Sequence, residues 1–308
     1  MRIHKKKKAW LIGISSAVLI LGVGVLVYFA LKQPEPTHKT PPKKTPHAAA
    51  VHYYSPLTGS EVADEAATKL PTTAIMIENS PAARPQSGLK ESGVVFEAIA
   101  EGGITRFLAL YQQEKPQLIG PVRSVRMYYV DWLAPFNASV AHVGGSAAAL
   151  DEVRNGSYRD IDQFFNSATY WRATDRYAPH NVYTNFERLD ALNKAKGYET
   201  SEVKGFLRKD SKKTKEPTAT AVDLRISSAL YNVHYAYNAQ TNTYDRSEGG
   251  APHKDREGGL ISPRVVVGLR VKEESVFEDG WRESINAVGS GTGVIFQDGT
   301  VQEVTWTK

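Results

Sequence analysis

An α+β fold is predicted for these 308 residues: a membrane-spanning helix, then a mixed α/β first domain, then a mostly antiparallel β second domain. Three observations predict it. Positions 9–31, "AWLIGISSAVLILGVGVLVYFAL", hold 23 residues without a charged side chain. From 53 to 208, β-like runs alternate with helix-like ones, the pattern of a sheet covered by helices. From 222 to 308, β-branched and aromatic runs are separated by recurrent Gly, Asn and Asp turn signals, the pattern of antiparallel strands.

At a rise of about 1.5 Å per residue, the uncharged run is long enough as a helix to cross a hydrocarbon core of about 30 Å. The basic end at 1–8, with Lys5, Lys6, Lys7 and Lys8, is expected to stay cytoplasmic, which places everything after residue 31 outside a single-pass cell membrane protein. The run exceeds the apolar core of a cleaved signal peptide, and the small-residue stretch "HAAAV" comes too late for cleavage, so an uncleaved signal anchor is expected. Positions 32–52, rich in Pro, Lys and Thr, read as a semi-extended tether. The 308 residues include no cysteine anywhere, which excludes disulfides, thiolate chemistry and lipid attachment through a lipobox cysteine.

The net charge of +5 is misleading as a guide to partners. Residues 1–52 hold nine of the 38 Lys and Arg but one of the 33 Asp and Glu, leaving 29 basic against 32 acidic residues, a net of −3. The bulk of the chain is slightly acidic, and no nucleic-acid partner is expected.

Within the first domain, at 53–208, "TTAIMIEN" reads as an apolar strand. "GVVFEAIAEGGITRFLALYQ" reads as two strands turning at Glu101-Gly102-Gly103. "PVRSVRMYYVDWLAPF" reads as a helix stopped by Pro135, with Arg123 and Arg126 on one face. "NASVAHVGGSAAALDEV" predicts a strand, a corner at Gly144-Gly145-Ser146 and a helix. In "YTNFERLDALNKAKG", Thr184 and Glu187 predict a capping box and Gly197 a helix end. The charged stretch at 209–221 reads as a linker, and 222–308 as the β-rich domain.

Three readings of the Gly-Gly-Ser corner stand side by side. Ser146 can cap the helix; the free N–H groups there can take an anion; or Ser146 can be a nucleophile, for which the second glycine of a G-x-S-x-G elbow is missing. Arg84, Arg106, Arg123 and Arg126 have the planar fork that binds carboxylates or phosphates, and local acids (Glu78, Glu97, Glu101, Asp131) can equally pair with them. His180, in "RATDRYAPHNVYTN", is a possible base and Glu101 a possible acid; alternatively His180 and Asn181 brace a loop. His142, His253 and Asp255 show no metal-binding spacing, so neither metal nor cofactor is expected.

The ordered motifs "SPLTG", "AIMIENSPAARPQSGL", "EAIAEGGITRF", "GPVRSVR", "HVGGS", "APHNVYT", "YDRSEGGAPHKD" and "GSGTGVIFQDGTVQEVTW" resemble the YerB-like lipoproteins of Gram-positive bacteria, a two-part family of unknown function. The resemblance covers residues 55–306. It implies an exported, membrane-held protein with an N-terminal and a C-terminal family domain. It marks Glu78, Asn79, Arg84, Glu97, Glu101, Arg106, Arg123, Arg126, Ser146, His180, Asn181, Arg246, His253 and Asp255 as motif positions. The missing cysteine departs from the lipoprotein pattern, and the apolar segment is expected to replace the lipid. The expected function is binding of an anionic cell-envelope ligand (wall polymer, peptidoglycan or an envelope protein) through Arg84, Arg106, Arg123, Arg126, Gly144, Gly145, Ser146, His180 and Asn181. The alternative is an envelope hydrolase or transferase using Ser146 or a glutamate with His180.

Overall fold

Beyond a short antiparallel pair, β1 (Tyr53–Tyr54) with β2 (Glu61–Val62), and one helical turn, α1 (Glu65–Thr68), the chain enters a strand buried at every position, β3 (Thr73–Glu78). Its sequence "TAIMIE" is mostly apolar because both of its faces are covered. β4 (Val94–Glu101) and β5 (Ile104–Tyr111) form the expected hairpin, and Gly102 and Gly103, at φ 55° and 75°, supply the left-handed turn that a two-residue connection favours. β6 (Ser139–His142) pairs in parallel with β3, and β7 (Arg159–Asp162) in parallel with β6.

Helices α2 (Met127–Leu133) and α3 (Ala147–Asn155) place Tyr129, Val130, Leu133, Ala149 and Val153 in one core with Ala74, Met76, Leu108 and Val140. On the other side, α4 (Phe186–Ala195) places Phe186 and Leu189 with Ile75, Ile77, Phe107 and Ala141. Alternate residues of β3 thus serve opposite cores, as the two-residue period of a strand requires. A short pair, β8 (Trp171–Arg172) with β9 (Val182–Tyr183), closes a loop beside this layer.

The C-terminal part is antiparallel, as expected. β10 (Ala221–Leu224), β11 (Val233–Asn238), β12 (Thr243–Glu248) and β13 (Ala251–Pro252) form one sheet. After β14 (Val265–Leu269), the hairpin β15 (Lys272–Val276) and β16 (Arg282–Asn286) leaves this part of the molecule. β17 (Ser290–Gln297) and β18 (Thr300–Thr307) then return to complete a three-stranded sheet with β14. Val222, Val233, Tyr235, Tyr244 and Val266 form the core between them.

The departing hairpin joins the first sheet beside β4 and extends it to seven strands in the order β15-β16-β4-β5-β3-β6-β7, with Ile285 and Ala287 added to the core that α2 covers. The hairpin thus joins the two expected domains through a shared sheet, within one compact unit at 52–308. The stretch at 209–221 does not hang free as a linker. Lys209 Nζ lies 2.9 Å from Asp298 Oδ2, Ser211 donates to Asp298, and the Thr214 N–H donates to the Asp298 carbonyl.

Two local expectations are corrected. The helix predicted from "PVRSVRMYYVDWLAPF" begins only at Met127, because residues 122–125 bond as extended backbone to β3 and to the Gly144 turn. Arg123 and Arg126 therefore do not share a helical face. The cap of α4 is Asn185, whose side chain accepts from the Arg188 N–H, while Thr184 is held in a backbone bridge to Ile119.

The computed structural model describes residues 28, 51–276 and 282–308. The expected membrane anchor at 9–31 and tether at 32–52 lie almost wholly outside them. Among the described residues, no helix is long and apolar enough to cross a membrane.

Candidate functional site

Three strands of one direction finish side by side: β3 at Glu78, β6 at His142 and β7 at Asp162. In α/β sheets, ligands bind in the crevice outside such carboxyl ends. The extended segment 122–125 crosses this edge. Arg123 donates its N–H to the Met76 carbonyl and accepts at its own carbonyl from Val143, and Val125 exchanges bonds with Gly144 and Ser146. Arg123 is thereby fixed between the end of β3 and the Gly-Gly-Ser corner.

Glu78 is 4% exposed, and its Oε1 gathers three groups. His180 Nδ1 donates at 2.8 Å, the Ser80 hydroxyl donates at 2.9 Å, and Arg123 Nε stands off at 3.8 Å. Glu78 Oε2 is buried, and among the described residues it has no hydrogen-bond partner. Burial lowers the Arg123 pKa; Glu78 opposes that shift, and the neighbouring Arg106 and Arg172 add to it. Two arginines that repel each other across a half-open edge gain from a shared anion. Arg172 is exposed, and its guanidinium donates to Asn181 Oδ1 at 2.8 Å.

The remaining expected ligand groups are committed elsewhere. Arg106 and Arg126 clamp the two oxygens of Glu101, so Glu101 is a bridging counter-ion held away from an acid's role. Arg84 lies on Asn79, the Leu230 carbonyl and Glu248. Asn181 holds its loop through the Ala173 and Arg176 carbonyls, the bracing role weighed above. The Gly144 N–H goes to Asp162, and that of Ser146 to the Val125 carbonyl. Gly144 sits at φ +62°, and a Cβ on Gly145 would come within 2.7 Å of Val125, so the glycine pair makes a tight corner. Ser146 occupies the cap position of α3 without a side-chain cap bond, and His180 turns to Glu78 rather than to it.

The motif residues of the C-terminal part meet those of the N-terminal part in a buried lock. Arg246 donates to Glu97 at 2.9 Å, to the Tyr235 hydroxyl at 2.7 Å and to His253 Nδ1 at 2.9 Å. Glu248 accepts from Asn79 at 2.6 Å, and His253 Nε2 donates to Gln86 at 3.0 Å. His253 therefore carries its proton on Nε2, and burial, reinforced by Arg246 and Arg84, lowers its pKa from 6.5 to about 3. Asp255 accepts the N–H groups of Leu89 and Lys90; burial raises its pKa from 3.8 to about 6. Burial also raises that of Glu248, with Glu97 adding to it.

Sequence reasoning missed Ser80, Arg172, Gln86 and Glu248. Ser80, Gln86 and Glu248 lie inside quoted motifs, so a closer reading of those motifs would have included them. Arg172 opens the quoted stretch "RATDRYAPHNVYTN", but at the end of a two-residue strand nothing local ties it to Arg123.

The fold and its lock thus define a two-part α+β protein whose halves are fastened by their own sequence motifs. Residues 57–199 match the family described as "Protein of unknown function (DUF3048) N-terminal domain", and residues 222–308 match its C-terminal domain. The chain belongs to this family. It is 33% identical over 259 residues to the protein YerB of Bacillus subtilis (strain 168), named as a candidate lipoprotein, covering 82% of this chain and 78% of YerB. The crystal structure of YerB from Bacillus subtilis superposes with a TM-score of 0.73 at 30% identity, over 83% of this chain and 87% of that one.

Proposed function

We propose that this protein is held at the outer face of the cell membrane by residues 9–31 and binds an anionic cell-envelope ligand in the crevice outside β3, β6 and β7. Its relative is named as a lipoprotein; with no cysteine here, the apolar segment serves as the anchor. The observation that carries the binding reading is the partly exposed Arg123, 3.8 Å from the Glu78 carboxylate, with the exposed Arg172 close enough to repel it. Arg123 and Arg172 take the ligand's anionic group, while Glu78, buried behind them, holds His180 and Ser80 in place. Wall polymer, peptidoglycan and the acidic surface of an envelope protein all offer an anionic group.

The test is thermal melting of the full chain in inorganic phosphate against chloride of equal ionic strength. Protection follows mass action, about 2.7 kcal/mol at a hundredfold excess over Kd. Arg123→Ala and Arg172→Ala should each abolish it. Equal melting in both salts, in wild type and variants alike, would remove the anion site.

The hydrolase or transferase reading keeps one supporting observation: the Glu78–His180 pair leaves Nε2 of a partly exposed imidazole available as a base. Under that reading, His180→Ala retains phosphate protection and loses turnover of envelope polymer.

A further inference from the structure

A cavity whose lining does not include Arg123 opens between α3, β7 and the end of α4. It has a volume of about 360 Å³ and is lined by Arg154, Tyr158, Asp160, Phe165, Lys196 and Tyr198, among others. That volume lies in the range of small-molecule sites, about 300–1,000 Å³.

Its wall chemistry is specific. Phe165 is 70% exposed, which no packing requirement explains, and its ring lies 4.9 Å from the Arg154 guanidinium carbon. Tyr158 and Tyr198 add two further rings, and among the described residues their hydroxyls make no hydrogen bond. Arg154 spends one nitrogen on Asp162, at 2.8 Å, and among the described residues its other N–H groups have no hydrogen-bond acceptor. Lys196, exposed at the end of α4, has no carboxylate within ion-pairing distance among the described residues. Among the described residues, Asp160 uses only Oδ1, for His142 and for the Asp162 N–H, so Oδ2 remains to accept a hydroxyl.

We infer that this cavity binds an acidic sugar unit, a hexose bearing a carboxylate or a phosphate. The C–H face of the ring stacks on Phe165, a hydroxyl donates to Asp160 Oδ2, and the acidic group meets Lys196 and Arg154, while Tyr198, with Arg159 over its ring, forms the wall. The cavity is wired to the Gly-Gly-Ser corner: Asp160 holds His142, whose Nδ1 donates to the Gly144 carbonyl at 2.8 Å, while Asp162 joins Arg154 to the Gly144 N–H. This inference does not rest on the anion site at Arg123.

Calorimetric titration of the full chain with glucuronic acid, glucose 6-phosphate, glucose and inorganic phosphate tests it. Either or both acidic sugars should bind, with glucose and phosphate at least tenfold weaker. Phe165→Ala and Lys196→Ala, both at exposed positions that leave the core intact, should each weaken binding about tenfold, and Arg123→Ala should leave it unchanged. Binding of glucuronate would mark the carboxylated class and binding of the sugar phosphate the phosphorylated one. No heat with either acidic sugar would overturn the inference, as would equal affinity for glucose or for phosphate. So would binding indifferent to both cavity variants.

Discussion

The lock and the crevice use the same side chains, arginine, glutamate and histidine, and both bury the glutamate, yet their arginine and histidine differ in access to water. In the lock, Arg246, Glu248 and His253 are each 5–6% exposed. At the crevice, the side chains of Arg123 and His180 are 28% and 26% exposed. Both clusters contain a glutamate oxygen without a donor, Oε2 of Glu248 and Oε2 of Glu78. An unsatisfied oxygen alone therefore does not mark a site. Glu248 is sealed behind its partners, whereas Glu78 stands beside groups that a ligand can reach. Charged motif residues can fasten a fold as well as serve it, and burial decides which.

The largest effect expected from this difference is on stability. Arg246→Met strands Glu97 and Glu248 in the interior and should cost about 3–5 kcal/mol in urea unfolding. Arg123→Met should cost less than about 1 kcal/mol, since its one carboxylate contact is long and partly solvated. Comparable losses would erase the distinction between fastening and binding.

The lock should also dominate the response to acid. His253 has a folded-state pKa depressed to about 3, so its contribution is complete above 6.5 and is lost as the pH falls from 6.5 toward 3, a matter of a few kcal/mol. Asp255 works in the opposite sense. With its pKa raised from 3.8 to about 6, its contribution is present below 3.8 and is lost as the pH rises through 6. In unfolding curves taken between pH 6.5 and 4, His253→Gln should flatten the acid loss and Asp255→Asn should steepen it. If His253→Gln tracks wild type across that window, the neutral buried tautomer assigned to it is incorrect.

How far the sequence carried the structure follows the same division. Strands such as "TAIMIE" and the Glu101-Gly102-Gly103 turn were legible because local pattern and glycine conformation determine them. The antiparallel character of 222–308 was legible for the same reason. The crossing of β15 and β16 into the first sheet was not, because strand pairing over such a separation leaves no local trace. The same holds for Arg246 with Glu97, 149 positions apart. "PVRSVR" has helical spacing, but backbone bonds to Met76 and Gly144 overrode it. The candidate site was half legible: Arg123, His180 and Glu78 were named, but that Glu101 absorbs Arg106 and Arg126 required three dimensions.

The smallest effect separates two helix caps. Asn185 accepts from the Arg188 N–H at 3.0 Å, so Asn185→Ala should cost about 1 kcal/mol, the ordinary value of a cap. Ser146 holds the equivalent place on α3, but its hydroxyl makes no cap bond, so Ser146→Ala should fall within about 0.5 kcal/mol of wild type. A residue at a cap position that does not cap is free for another task, and Ser146 follows the corner that Arg123 braces. Paired unfolding and phosphate-protection measurements separate the possibilities. If Ser146 belongs to the crevice, its alanine variant keeps stability and loses part of the protection. If it costs as much as Asn185→Ala and leaves protection whole, Ser146 is a structural cap and the crevice ends at Arg123.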